Sequence, residues 1–227
     1  MHSRLHHLTR DQLTNLLTLV QTKADEARRK GNTRAIIDEL LVQLLVDAGL
    51  KPKELCALNI KDILLRQKII RVQDRHFKRH RDITVSEQTA GILKRFIQLY
   101  RTEGAANDPL LLGERGARFT YISLYSKIRR IGQIINIKHL NPNLLRQTYM
   151  VNLYQREQDL KLVQNQAGHA SHKTTAHFVL PKATTSEQIC DVCDRRVSGH
   201  NATQIDSGQI LCKYCLRELR LQAEKNH

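Results

Sequence analysis

The chain has no tryptophan, and its 227 residues include only four phenylalanines and six tyrosines. That scarcity argues against a single-strand nucleic-acid binder, which needs aromatic faces in series for base stacking. Long apolar runs are missing too. Nothing approaches the roughly 18 consecutive apolar residues of a membrane span, and the opening MHSRLHHLTRDQL offers no apolar stretch for a signal peptide. Acidic residues are outnumbered, 22 Asp and Glu against 37 Lys and Arg, for a formal net charge of +15. Such an excess favours polyanionic partners, nucleic acid above all. With no leader or span, it predicts a cytoplasmic, nucleoid-associated protein and no membrane partner. Cysteines are few and uneven: Cys56 stands alone in an apolar stretch and the other four follow Gln188. That is not the pattern of a secreted disulfide scaffold. Apolar side chains are plentiful, at 41%, enough for the core of one full-sized domain plus a small module.

Thr9 opens a Thr-x-x-Gln capping box with Gln12. Leu13, Leu16, Leu17 and Val20 then recur at helical spacing, predicting a helix that stops near Gly31. Ile36, Ile37, Leu40, Leu41, Leu44 and Leu45 predict a second helix from Thr33 to Ala48, with an apolar face broad enough to demand burial, and Gly49 ends it. Pro52 suits the first turn of a short helix running to Leu58. Lys68–Val72 and Asp82–Val85 read as strands around the basic, hairpin-like DRHFKRHR. Ser86 and Thr120 cap helices that reach Arg101 and Ile135, with a loop over 103–109 between them. Further helices fit 142–157, 158–166 and 172–179. Helices, a small sheet, then helices again predict a mainly α domain with a small antiparallel β-sheet over residues 1–180. Pro181 and KATTSEQ read as a linker ending at 188, and 189–227 as a separate module.

In that module Cys190-x-x-Cys193 and Cys212-x-x-Cys215 flank 18 residues, DRRVSGHNATQIDSGQIL, with Ser-Gly turns suited to a short hairpin. Each pair chelates from a tight knuckle, and four thiolates close a tetrahedral Zn²⁺ shell. Disulfides or idle thiols are the alternative, and His200 is a spare ligand. A closed four-cysteine site is structural, not catalytic. The cofactor expected is therefore one structural Zn²⁺ on Cys190, Cys193, Cys212 and Cys215. Arg195, Arg196, Lys213, Arg217 and Arg220 allow the module DNA contact or a plain solvated face. Pairing of chains on DNA and binding of another protein stay equally open.

Residues 33–62, TRAIIDELLVQLLVDAGLKPKELCALNIKD, resemble the start of the catalytic domain of tyrosine recombinases, the phage integrase family. There a buried helix leads to Gly-Leu-Arg-x-x-Glu-Leu, matched here by Gly49-Leu50-Lys51-Pro52-Lys53-Glu54-Leu55. The family's His-x-x-Arg-His-Thr resembles Asn143-Leu144-Leu145-Arg146-Gln147-Thr148, and its Leu-Gly-His resembles Ala167-Gly168-His169. Its nucleophilic tyrosine lies nine positions past that histidine, where this chain has Phe178. The resemblance covers about residues 8–180. It leaves one helix in 1–32 where the family carries a separate core-binding domain.

The resemblance implies strand cleavage by a tyrosine oxygen, with two arginines neutralising the phosphate and His and Lys groups moving protons. Here Lys51 stands at the first arginine and lacks its bidentate fork. Asn143 replaces a histidine and cannot transfer protons near neutral pH, whereas Arg146 and His169 remain. The family's lysine falls on the sheet hairpin, where Arg75, His76, Lys78 and Arg79 are candidates. Phe178 has no oxygen for a covalent intermediate. Tyr149 and Tyr154 fall at core positions, and Tyr214 lies inside a cysteine knuckle. The expectation is a duplex-DNA binder with a degenerate active site rather than an enzyme, its DNA contacts at Lys51, Arg75, Lys78, Arg79, Arg146 and His169. Two alternatives are carried: a DNA-breaking recombinase with a relocated or trans-supplied nucleophile, such as His177, and an interaction protein acting through its zinc module.

Overall fold

In a computed structural model the described residues are 7–74, 79–113, 116–180, 188–189, 192–193, 196–197, 202–204, 210–212 and 215–216. The chain divides into two compact units, Met1–Val179 and Leu180–His227.

The first unit opens with α1, Arg10–Lys30. Thr9 accepts from the Gln12 amide while the Gln12 side chain accepts from the Thr9 amide, and Gly31 closes the helix at φ 68°. The helix α2, Arg34–Asp47, is buried from Glu39 through Leu45, as its apolar breadth requires. Thr33, expected to begin this helix, is already helical in backbone and makes no side-chain cap. α3, Pro52–Ala57, has proline in its first turn and receives Glu54 Oε2 on the Lys51 amide at 2.8 Å.

A 3₁₀ turn, Ile60–Asp62, leads into a three-stranded antiparallel sheet of β1 (Ile63–Leu64), β2 (Ile69–Asp74) and β3 (Arg79–Thr84), in that order. β1, two residues long, is too short to carry a periodic signal in the sequence. β2 begins at Ile69 rather than Lys68 because Lys68 takes a left-handed φ of 54° at the turn. β3 begins at Arg79, three residues before the expected Asp82, because the ladder runs on to Asp74 opposite Arg79. Ile70, Val72 and Ile83 point into the core.

Ser86 caps α4, Glu87–Tyr100, and Thr120 caps α5, Tyr121–Ile134. α6, Pro142–Glu157, stops at Gln158, whose φ of 53° is left-handed. Asp159 then caps α7, Leu160–Ala167, two residues later than expected. α8 spans His172–Val179. One large core joins α1 through the first half of α6, and a second cluster of Tyr149, Met150, Leu153, Val163, Ala167 and Val179 ties α6, α7 and α8. Tyr149 belongs to this second cluster, and the half-buried Tyr154 packs against it. No helix among the described residues is long and apolar enough to cross a membrane.

Arg118 closes the C-terminus of α3. Its guanidinium donates to the Ala57 and Leu58 carbonyls at 3.0 and 3.2 Å and to Asn59 Oδ1 at 2.7 Å. A cation on terminal helix carbonyls stabilises by about 1 kcal/mol when solvent-accessible. Arg118→Ala is expected to lower Tm by a few degrees, with Arg118→Lys recovering part of the loss, in a calorimetric comparison of the three proteins.

In the second unit β4 (Gln188–Ile189) pairs antiparallel with β5 (Arg196–Val197), and β6 (Ala202–Gln204) with β7 (Ile210–Cys212). Gln188 thus belongs to a strand and not to the expected linker, because its backbone pairs with Val197. Residues 181–187 of that linker lie outside the described residues, as do Cys190, Arg195, His200, Lys213, Tyr214, Arg217 and Arg220.

Candidate functional site

Gly49 follows α2 with φ 56°, and an added Cβ would stand 2.1 Å from the Tyr149 ring, so only glycine fits. The Gly49 carbonyl accepts from Arg146 Nη1 on α6. Arg146 Nη2 donates to the Ala167 carbonyl at 2.7 Å and lies 3.0 Å from His169 Nε2. The Arg146 side chain is buried, and burial lowers its pKa to about 10, leaving it charged at neutral pH.

His169 follows the left-handed cap Gly168 of α7, and its backbone is held at both ends by Gln164. A guanidinium can only donate, so Nε2 carries the lone pair and Nδ1 the hydrogen, which is directed to Thr175 Oγ1 at 3.0 Å. Burial first, then the charges of Arg146, Lys51 and Arg81, push the imidazole from 6.5 to about 4. In the unfolded chain it protonates near 6.5, whereas in the fold it stays neutral until about 4. The unfolded state therefore takes up the proton first, and stability falls as pH drops through this window. The His169 contribution to stability is expected in full above pH 6.5 and lost towards pH 4. Urea midpoints between pH 7.5 and 4.5 should fall more for the wild type than for His169→Gln, and equal falls would refute the assignment.

Lys51, at the start of α3, donates to the Gly168 carbonyl at 2.9 Å and stands 3.6 Å from Glu54 Oε1. Phe178, on α8, sets its ring 5.6 Å from the His169 ring at 36°. The structure thus brings Lys51, Arg146, His169 and Phe178 to one place. Asn143 is on the same helix as Arg146, one turn earlier, but is exposed and donates to the Tyr125 hydroxyl on α5 at 2.8 Å. Burial, then Tyr121, pushes that hydroxyl up to about 12. Arg75, His76 and Lys78 lie outside the described residues, and Arg79 is described only in its backbone pairing.

Two site residues had no assigned role. Arg81 donates to both oxygens of Glu54, at 3.1 and 2.9 Å. The two-residue alternation Arg81, Ile83, Val85 is the sequence signal that puts Arg81 on the inward face. Lys51 and Arg81 share the one carboxylate, and Arg146 is bound to carbonyls and His169 beside them; three cations against one carboxylate suit an anion with several oxygens.

In the second unit the sulfurs of Cys193, Cys212 and Cys215 all lie within 4.8 Å of one another. Cys193 and Cys212 sulfurs are 3.8 Å apart, and the Cys215 amide donates to Cys212 Sγ at 3.5 Å.

The helical unit, with its three-stranded sheet and the cations gathered between α3, β3, α6 and α7, has the tyrosine recombinase catalytic-domain fold. The phage integrase family matches residues 6–184. The tyrosine recombinase XerA of Saccharolobus solfataricus is 30% identical over 146 residues, 63% of this chain and 46% of that protein. The crystal structure of XerA recombinase superposes with a TM-score of 0.67 at 23% identity, covering 81% of this chain and 62% of that one. XerH recombinase bound to its difH substrate, in a pre-cleavage complex, gives 0.66 at 22%, covering 81% and 52%. The chain belongs to the phage integrase family. It spans about half the length of the curated relatives it matches.

Proposed function

We propose that this protein grips the phosphates of duplex DNA with the family's pocket and does not break the strand. Phe178 carries the reading. It stands where the resemblance puts the attacking tyrosine, its ring against His169, and a phenyl group has no oxygen to attack phosphorus. Lys51 keeps charge without the bidentate fork. Asn143 is turned to Tyr125 and has no proton to relay near neutral pH. Arg146 and His169 stay in place, and the formal charge of +15 supplies the wider attraction. The Tn1549 transposon integrase, of the same fold, is seen in complex with a circular intermediate DNA, which supports DNA as the partner here. A protein that holds DNA uncut suits a regulator or accessory factor of recombination or of a mobile element. Labelled duplex should be bound by the full chain and recovered with both strands intact on a denaturing gel. Nicked strands, or no binding, would overturn the reading.

The second unit, on the same reading, is a structural zinc module. Four sulfurs about 2.3 Å from a tetrahedral Zn²⁺ lie about 3.8 Å apart, and the Cys193–Cys212 separation fits that edge. It is far beyond the roughly 2.05 Å of a disulfide. The Cys215 amide aimed at Cys212 Sγ suits a thiolate acceptor. Cys190 completes the set in sequence. One zinc per chain is expected by elemental analysis. Cys193→Ser and Cys190→Ser should lose it and expose the residues after Gln188 to protease, with the helical unit still folded. Metal-free protein with an equally protected second unit would refute the module.

A further inference from the structure

Arg81 is the cation of the pocket that the DNA grip leaves unused. Its position opposite Val72 puts it on the inward face of β3. There its guanidinium lies over Gly168, where an added Cβ would stand 2.0 Å from Nη1 and 2.7 Å from Cζ. Its side chain is 14% exposed, as is that of Glu54, against 41% for Lys51. Both terminal nitrogens engage Glu54, and Nε is buried without a hydrogen-bond partner among the described residues. Glu54 thus faces two cations. Arg81 takes both carboxylate oxygens in a fork, and the Lys51 ammonium stands off at 3.6 Å with its hydrogen bond on the Gly168 carbonyl. A bidentate guanidinium–carboxylate pair outcompetes a single ammonium contact.

We propose that Arg81 is a positioning residue for Lys51: by occupying both oxygens of Glu54 it keeps that carboxylate from closing on the Lys51 ammonium, which stays available to a DNA phosphate. The proposal rests on the reading of this pocket as a phosphate grip. Without Arg81, Glu54 keeps the Lys51 amide at 2.8 Å, and the ammonium, already 3.6 Å away, is the one cation left to close on it among the described residues. Gly168 belongs to the device, because a side chain there would push Arg81 off Glu54.

The test is a mutational cycle read as the salt dependence of duplex binding by the full chain. In the wild type, Lys51→Gln is expected to lower the slope of log Kd against log salt by about 0.9, the share of one phosphate contact. In an Arg81→Gln background the same change should alter the slope little, because Glu54 already holds Lys51. In the Arg81→Gln, Glu54→Gln background the full Lys51 effect should return. A merely structural Arg81 would lower the urea midpoint and leave the Lys51 effect the same in every background. That equality, whatever its size, overturns the proposal. So does a double variant that has lost one further phosphate contact while Lys51 still counts, because Arg81 then holds phosphate itself. If Arg81→Gln alone does not fold, the double variant, which removes the buried carboxylate together with its guanidinium partner, carries the test. There an absent Lys51 effect overturns the proposal. A wild type that binds no duplex fails the phosphate-grip reading, whereas binding without background dependence fails this proposal alone.

Discussion

Binding to duplex DNA is expected to weaken by roughly 10³-fold or more between about 50 and 200 mM salt, if about six phosphates are engaged. The force is counterion release: each phosphate neutralised by a protein cation frees ions that rising salt returns to the DNA. Arg146→Ala should weaken binding to all sequences alike, because phosphate contacts fix position and not base identity. The buried guanidinium also braces Gly49, Ala167 and His169, so its loss opens the pocket as well as removing charge. Fluorescence anisotropy with a specific-length duplex across the salt series measures both effects. A Kd that hardly moves over this range would count against a phosphate-dominated surface.

The second large effect is a gain. Phe178→Tyr alone should leave the protein without appreciable strand cleavage, since Lys51 lacks the fork and residue 143 relays no proton. Each missing preorganised donor costs on the order of 10²–10³ in rate. The triple variant Phe178→Tyr, Lys51→Arg, Asn143→His is therefore expected to cleave at least about 10⁴-fold faster than Phe178→Tyr alone. A histidine at 143 is kept by α6 one turn from Arg146. Single-turnover cleavage of a labelled nicked duplex compares the two. Equal rates would mean that residues 51 and 143 are not what the pocket lacks.

What could be read from the sequence was mostly local. The Thr9–Gln12 box, the caps Ser86 and Thr120 and the stop at Gly31 each rest on residues within one helical turn, and each stands in the structure. Lys51, Arg146, His169 and Phe178 came from motif resemblance, and folding brings all four together. The pairing of Arg81 with Glu54 joins residues 27 apart and depends on strand register and on how closely β3 approaches Gly168. No local spacing encodes that. The turn of Asn143 towards Tyr125, 18 residues away, likewise depends on how α5 and α6 pack. The late start of α7 follows from the left-handed Gln158, a conformation that a glutamine does not advertise.

The central claim, that the pocket holds DNA without attacking it, is tested most directly by covalent trapping. A suicide duplex nicked beside the scissile position lets any covalent intermediate accumulate, because the released strand end diffuses away. The wild-type protein is expected to shift this duplex on a native gel and to leave no protein attached to DNA after denaturation. A denaturation-resistant adduct, mapped by mass spectrometry to His177, Tyr214 or any other side chain, would contradict the account and make this an enzyme with a relocated nucleophile.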